Sequence, residues 1–472
     1  MDRADPVVDR ARAFLEWALP ILKQEFQRGN DQPLEVDGFP VWVPEPEPVA
    51  GMRRFRAHRM VFSAERQCAI RALGELREAG VEQISDLEDA LERDPVIGPR
   101  VGGDSVISFA AGGGAFQTWS LVLMLVEHVI EQAGGFEVGP READQMTNEW
   151  AATARRPADR VTVVTSLREF CAPSVPIRLG SGLEIVELQD DEIAAALQVA
   201  GAAGGTRLDE RTISEAFAIR TAFYSRLFIG AVPEAESATE QALREEAERN
   251  VALVLLALRV FKAGRVTATG TFQYVTRWDG IWPVQGSIGP WFGWHSGQPY
   301  VLAGDEVDAF RKFWSELKRV QGHRVVDAVL RRFGYAAERA LPEDEIVDLM
   351  IAAESLFLSE MDTRDRGELR FRLSARAASL LGVTVEERLS VWKFMRGAYD
   401  TRSVIVHGGT PDERDLRNLN REPVRVDIFA DELEGVIRRA LQIAIRQVAA
   451  GERFPPDWEE LMFGGPKDLT SG

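Results

Sequence analysis

Arg402 and His407 stand five residues apart near the end of a strongly helical stretch, in the run Arg402-Ser403-Val404-Ile405-Val406-His407-Gly408-Gly409. A histidine can move a proton near neutral pH. An arginine can hold a phosphate with a planar fork of donors. Together they are the smallest set that cleaves RNA without a metal, one group handling the proton and the other the phosphate. Helical residues five apart differ by about 140° in direction, so the two share a broad flank rather than one ridge. Their groups converge on a ligand if His407 sits on the last turn, and Gly408 and Gly409 are placed to end the helix there. The other reading of the same spacing is a helix-capping histidine, since short motifs recur by chance.

Neighbouring residues carry paired readings of the same kind. Asp400 either orients Arg402 or a partner's histidine, or makes a surface ion pair. Tyr399 either stacks on a base or packs in the core, and Glu354 is a candidate auxiliary polar group. Between residues 361 and 402 nine basic side chains outnumber six acidic ones. Arg388, Lys393 and Arg396 are therefore candidates for RNA contact, against the alternative of a solvated helix face laced with ion pairs. His58, His128, His295 and His323 are scattered, with no carboxylate spacing that would join two of them on a metal. Cys68 and Cys171 suit no metal spacing and are expected as small buried residues. Trp278, Trp282, Trp291 and Trp294 either line a ligand pocket or pack a glycine-rich sheet. Met146, Trp150, Arg155 and Arg156 read as the end of a linker helix. No Gly-Lys dipeptide occurs, which excludes a P-loop, and neither a His-Glu-x-x-His helix nor a Gly-x-Ser-x-Gly elbow is present.

These residues need elements to hold them. With 472 residues the chain exceeds one ordinary core, and 45% hydrophobic with 28% charged residues is a globular composition. A net charge of −18 argues against a surface coated for non-specific nucleic-acid binding. No apolar run approaches a membrane span, and no apolar signal region opens the sequence, so a cytoplasmic location is the expectation.

The fold class expected is α+β, predominantly helical, in four parts. Residues 1–157 read as mostly helical: 6–28 (with Pro20 a possible kink), 63–79, 85–92 and 117–133. A proline-rich connector from Phe39 and a Gly112-Gly113-Gly114 turn interrupt them. Residues 158–303 read as a mixed α/β domain, with β-branched strands near 161–167, 177–179 and 183–188 and helices near 191–199 and 240–262. Residues 304–452 read as an antiparallel bundle of four or five helices, at 305–333, 342–358, 368–381, 385–406 and 427–449. In the third of these, Leu369, Leu373, Ala377, Leu380 and Leu381 form the stripe a bundle buries. Gly382 ends that helix, and Thr384-Val-Glu-Glu-Arg opens the next with a capping residue and an acidic first turn. Residues 453–472 are expected to fray.

Four stretches of this bundle carry a resemblance. They are Ala353-Glu-Ser-Leu-Phe-Leu, Glu368-Leu-Arg-Phe-Arg-Leu-Ser-Ala-Arg-Ala-Ala-Ser-Leu-Leu-Gly, Glu387-Arg388 and Tyr399-Asp-Thr-Arg-Ser-Val-Ile-Val-His-Gly. In order and spacing they resemble the Apea-like HEPN family over residues 310–409, and a weaker likeness reaches back to about residue 160. The resemblance implies a helical HEPN bundle that dimerises and sets two Arg-x4-6-His motifs across a shared cleft, acting as an endoribonuclease with no metal and no cofactor. It implies that Arg402 holds the scissile phosphate and that His407 acts as general base or acid, leaving a 2′,3′-cyclic phosphate. Many active members of the superfamily carry an amide or acidic residue after the arginine; here Ser403 stands there, as is usual in this subfamily. By the same resemblance the substrate is tRNA or another cellular RNA, the context anti-phage abortive infection with a phage-derived trigger, and the preceding domains regulatory. Two further readings stay open: a catalytically silent HEPN module for oligomerisation or RNA binding, and a ligand sensor built on the middle domain.

Overall fold

The computed structural model describes residues 5–463 except 30, 48–52, 102–105, 110–111, 116, 174, 181, 205–209, 214–216, 227, 230–233, 278–279, 289–299 and 362–367. His295, Trp278, Trp291 and Trp294 fall outside the described residues, as does the side chain of Trp282. The fold is mixed α and β with helices dominant, as expected. The chain divides into two compact units. The first takes Met1–Ser166, Gly180–Val251 and Ala268–Gly293; the second takes Leu167–Leu179, Ala252–Thr267 and Trp294–Gly472. No described helix is long and apolar enough to cross a membrane.

The first unit holds two kinds of core. One is helical: Pro6–Arg28, Ala64–Glu78, Glu82–Arg93, Thr118–Ala133 and Pro140–Ala154 bury Phe14, Leu22, Leu87, Leu125 and Trp150 together. The Pro6–Arg28 helix starts on an Asp5 cap, whose carboxylate accepts from the Val7 amide at 3.0 Å, and it runs through Pro20 without ending. Trp150 is fully buried and its indole donates to the Leu121 carbonyl at 3.2 Å. Arg155 bridges Asp5 and Asp94 at 2.8 and 2.7 Å. The helix does end at Ala154, as expected, but it belongs to the helical core, which Trp150 and Arg155 tie together.

The other core lies on a six-stranded sheet with strand order Gly280–Ile288, Thr267–Arg277, Ala158–Arg168, Phe217–Arg226, Leu183–Glu187, Ile177–Gly180. Phe217–Arg226 lies antiparallel to both its neighbours, with Arg220 opposite Val164 and Ile219 opposite Ile185. The Asp190–Gly204 helix packs its Ile193 and Leu197 with Val164, Val186 and Phe272. The proline-rich connector is an antiparallel strand pair, Leu34–Pro44 with Arg53–Phe62. Its alternation is visible at Val41, Trp42 and Val43, of which only Trp42 is buried. The three glycines expected as a turn lie in the strand Gly112–Ala115.

The second unit is the helical assembly that carries Arg402 and His407. Its helices are Val307–Arg319, Arg324–Ala336, Pro342–Phe357, Leu369–Leu381, Val385–Val406, Val426–Ala449 and Trp458–Phe463. The Pro342 helix packs on the Arg324, Leu369, Val385 and Val426 helices, which makes it the hub. Phe310, Phe333, Phe357, Phe394 and Phe429 are fully buried, each contributing about 2–3 kcal/mol by leaving water. The single helix expected over 305–333 is two. Gly322 turns at φ 87°, and His323 caps the second helix by accepting from the Val326 amide at 3.4 Å. Of the stretch expected to fray, Trp458–Phe463 is a helix whose Trp458 is buried, 6.0 Å from Phe357 between ring centroids, with Arg376 over its indole at 5.2 Å, and 464–472 lie outside the described residues.

Two buried polar clusters belong to this unit. Arg259 donates to the Val266 and Gly334 carbonyls and pairs with Glu338 at 3.2 Å, while Arg438 donates to the Arg259 carbonyl at 3.0 Å. Glu345, only 8% exposed, has its carboxyl pushed up to about 7, first by burial and then by Glu434 and Asp431, against the pull of Arg265 and Arg438.

Candidate functional site: the end of the Val385 helix

The Val385–Val406 helix begins with a reciprocal cap: the Thr384 hydroxyl accepts from the Glu387 amide at 3.2 Å, and the Glu387 carboxylate accepts from the Thr384 amide at 3.1 Å. Gly382 ends the preceding helix for a reason of space rather than of backbone sign. Its φ is −95°, but a Cβ there would meet the Arg388 amide nitrogen at 2.7 Å. Arg388 in turn is half-buried and donates Nε to the Gly382 carbonyl at 3.0 Å.

At its other end the helix closes on His407. The Gly408 amide donates to the Ile405 carbonyl at 2.9 Å and the Gly409 amide to the Val404 carbonyl at 2.9 Å, with Gly408 at φ 80°. This pair of bonds and the left-handed residue between them form a Schellman motif, which needs glycine at 408. Gly409 packs so close that a Cβ would sit 2.8 Å from Val404 Cγ1. His407 is the C-cap residue, its amide bonded to the Ser403 carbonyl at 3.2 Å. Its imidazole is exposed and has no hydrogen bond or ion pair among the described residues. Backbone bonding thus fixes the residue and leaves its ring open to a ligand.

Arg402 lies on another flank of the same helix. It is 27% exposed, and its Nη2 stands 3.9 Å from Oε1 of Glu354 on the Pro342 helix. Its Nε is buried without a hydrogen-bond partner among the described residues. The structure therefore brings Glu354 to Arg402, loosely. It does not bring Asp400 there: Asp400 pairs with Arg370 at 2.6 Å, so of its two readings the ion pair is the one observed. Ser403 and Tyr399 are half-buried. No hydrogen bond or ion pair joins Arg402 to His407.

Lys393, Arg396 and Asp400 lie on the helical stripe that continues to His407, at intervals of three, four and seven residues. They open onto a concavity of about 230 Å³ that sequence reasoning did not anticipate as a unit. Arg370 of the Leu369 helix and Arg417 and Arg421 of the segment before the Val426 helix complete its cationic lining; Asp400 and Asp415 are its acids. Arg396 is braced by Trp392, its guanidinium 4.6 Å from the ring centroid. Arg417 and Arg421 sit in a tight reversal with an Arg417–Pro423 bridge, where the Glu422 amide donates to Asn418 Oδ1 at 2.8 Å. The high arginine content of that segment was the available sequence signal; its position against Lys393 and Arg396 was not.

Elsewhere the two cysteines part ways. Cys68 is buried, its thiol pushed up to about 11 chiefly by burial, and its Sγ contacts the Leu22 carbonyl at 3.7 Å. Cys171, expected to be buried as well, is exposed at the end of a short strand. His128 is buried, His58 is exposed and His323 is a helix cap. Among the described residues no three His, Cys, Asp or Glu side chains are grouped to share a metal ion. Comparison with family models, with curated proteins and with solved structures finds no match to this chain.

Proposed function

We propose that this chain is an endoribonuclease of the HEPN type, with Arg402 and His407 as its catalytic pair. The observation that carries the reading is the state of His407. It is an exposed imidazole held by its own backbone at a glycine-closed helix end, five residues from an arginine, and among the described residues the imidazole is unpartnered and the arginine's only ion pair is 3.9 Å long. In the proposed reaction one His407 removes the 2′-hydroxyl proton. The 2′-oxygen attacks phosphorus, the P–O5′ bond breaks, and a second histidine gives O5′ its proton. The products are a 2′,3′-cyclic phosphate and a 5′-hydroxyl, and Arg402 holds the negative charge of the transition state. One chain supplies one such histidine. Two copies facing each other through the helical bundle supply both, so the proposal is a homodimer acting without metal or cofactor.

The wider reading places this dimer in the cytoplasm, cutting tRNA or other cellular RNA during anti-phage abortive infection. Residues 1–157 and 158–303 restrain it until a phage-derived signal arrives. Lys393 and Arg396 contribute to RNA binding, while Arg388 serves the helix start. Ser403, Tyr399 and Glu354 act on position rather than chemistry, while Asp400 serves its ion pair with Arg370. One observation favours a second reading, a silent RNA-binding or oligomerisation module: within one chain Arg402 leans on Glu354 and not toward His407.

Induced expression of wild type, His407→Ala and Arg402→Ala, with sequencing of RNA 5′ ends, separates the two. The nuclease reading expects new 5′-hydroxyl ends in wild type and a loss of at least about 100-fold in each variant, the usual scale of a lost proton-transfer group for His407 and of a lost transition-state charge partner for Arg402. Intact RNA and equal growth in all three strains refute it.

A further inference from the structure

The concavity beside the Val385 helix holds more positive charge than the fold uses. Of its five cations, only Arg370 has a carboxylate partner, Asp400 at 2.6 Å. Lys393, Arg396, Arg417 and Arg421 have none among the described residues, in a chain whose net charge is −18. Like charges gathered in one depression repel one another, and neighbouring acids could have relieved them at no cost to packing. Arg421 adds backbone strain, with φ 69°, a left-handed conformation that arginine rarely adopts. The reversal that imposes it is anchored by the Leu419 amide on Glu432 at 3.1 Å, which holds the arginine toward the depression.

Gly397 points the same way independently. It lies in the interior of the Val385 helix and in the wall of the depression. A Cβ built there meets nothing within 4 Å. Glycine weakens a helix interior relative to alanine, and here no neighbour requires it. A bare backbone in the wall admits a ligand closer to the helix than any other residue would.

Resting on the nuclease reading above, we propose that this depression is a phosphodiester subsite for single-stranded RNA, gripping the backbone of the strand whose scissile bond lies at His407. The ligand chemistry follows from the lining. Guanidinium forks match phosphate oxygens. Among the described lining residues the one aromatic, Phe429, is buried, and nearby Trp392 lies under Arg396, so the lining itself offers no free ring to stack a base. Recognition is of backbone charge and is tolerant of sequence. Asp400 and His407 are seven residues apart on one stripe, about 10 Å along the helix, within reach of one strand.

The test is fluorescence anisotropy of a labelled oligouridylate on the full chain carrying His407→Ala, with salt varied. Two sets of variants are added: Arg417→Gln with Arg421→Gln, and Gly397→Ala alone. The proposal expects the arginine pair to weaken binding by tenfold or more and to lower the slope of log affinity against log salt by about 1.4, at about 0.7 per lost phosphate contact on a single strand. It expects Gly397→Ala to raise the melting temperature and still weaken binding, which a merely structural role cannot do. Unchanged affinity and slope in the arginine pair, or Gly397→Ala binding as tightly as its parent, overturn the subsite. Binding of uridine monophosphate or inorganic phosphate that RNA does not displace overturns RNA as the occupant. Cleavage by the wild-type chain keeps the two ideas apart. RNA cut normally with pocket variants binding normally sinks the subsite alone. RNA left intact by wild type with pocket variants losing affinity sinks the nuclease alone.

Discussion

Replacing Glu345 with glutamine should make the second unit more stable at pH 8 and remove most of its dependence on pH between 5.5 and 8. Glu345 is buried on the Pro342 helix, with its carboxyl pushed up to about 7 by burial and by Glu434 and Asp431. In the unfolded chain the same group titrates at about 4.3. A raised carboxyl binds its proton more tightly in the folded state, so its contribution is fully present below about pH 4.3 and is lost as pH rises through about 7. Each pH unit of that gap is worth about 1.4 kcal/mol, so the whole effect is about 4 kcal/mol, with about 2 kcal/mol of it lost between pH 5.5 and pH 8. Glutamine is nearly isosteric and neutral throughout, so the variant keeps the packing and drops the titration. Urea unfolding of both proteins, followed by fluorescence at several pH values across this window, gives the difference directly. Parallel stability curves for wild type and Glu345→Gln would refute the reasoning. A variant less stable than wild type at pH 8 would refute it too, by showing that the carboxylate makes a favourable contact as a charge.

Gly408→Ala forces a Cβ into a residue at φ 80° and should cost about 1–2 kcal/mol of stability, read as a lower melting temperature. Because the same residue sets the course of the chain after His407, any RNA cleavage should fall by more than the loss of folded protein explains. Trp458→Ala removes a buried ring packed on Phe357 and capped by Arg376, and should destabilise the second unit by about 3 kcal/mol, measurable by denaturant unfolding. A change within error would mean that the final helix is dispensable to the bundle.

What the sequence could disclose depended on how local the determining contacts were. The Val385–Val406 helix was legible to the residue because its capping box and its closing glycines sit within four residues of its ends. The break at Gly322 and His323 was not, since apolar spacing continues through Val320 and Val326 and hides the turn. In the Leu34–Pro44 strand the prolines outweigh the alternation around Trp42 and suggest a connector; pairing with Arg53–Phe62, eight and more residues away, decides its state. Nothing near Trp458 in sequence announces its contacts with Phe357 and Arg376. The site shows the same division. The Arg402–His407 spacing is carried by one helix and can be read from it. The cationic depression is assembled from residues 370, 393–397 and 417–421, and only folding places those three segments side by side.

The loose contact between Arg402 and Glu354 has a consequence for how a ligand would arrive. A guanidinium left bare would have to shed ordered water before accepting a phosphate. One already leaning on a carboxylate at 3.9 Å instead trades one anion for another. That exchange is close to neutral in charge terms, and the advantage of the incoming group lies in geometry: two oxygens can take the fork where a single distant one now stands. Glu354 on this account is a resident competitor. In the proposed nuclease it would set a threshold that weakly held anions do not cross, and a strand anchored elsewhere along the helix would bring its phosphate to Arg402 at high local concentration and displace it.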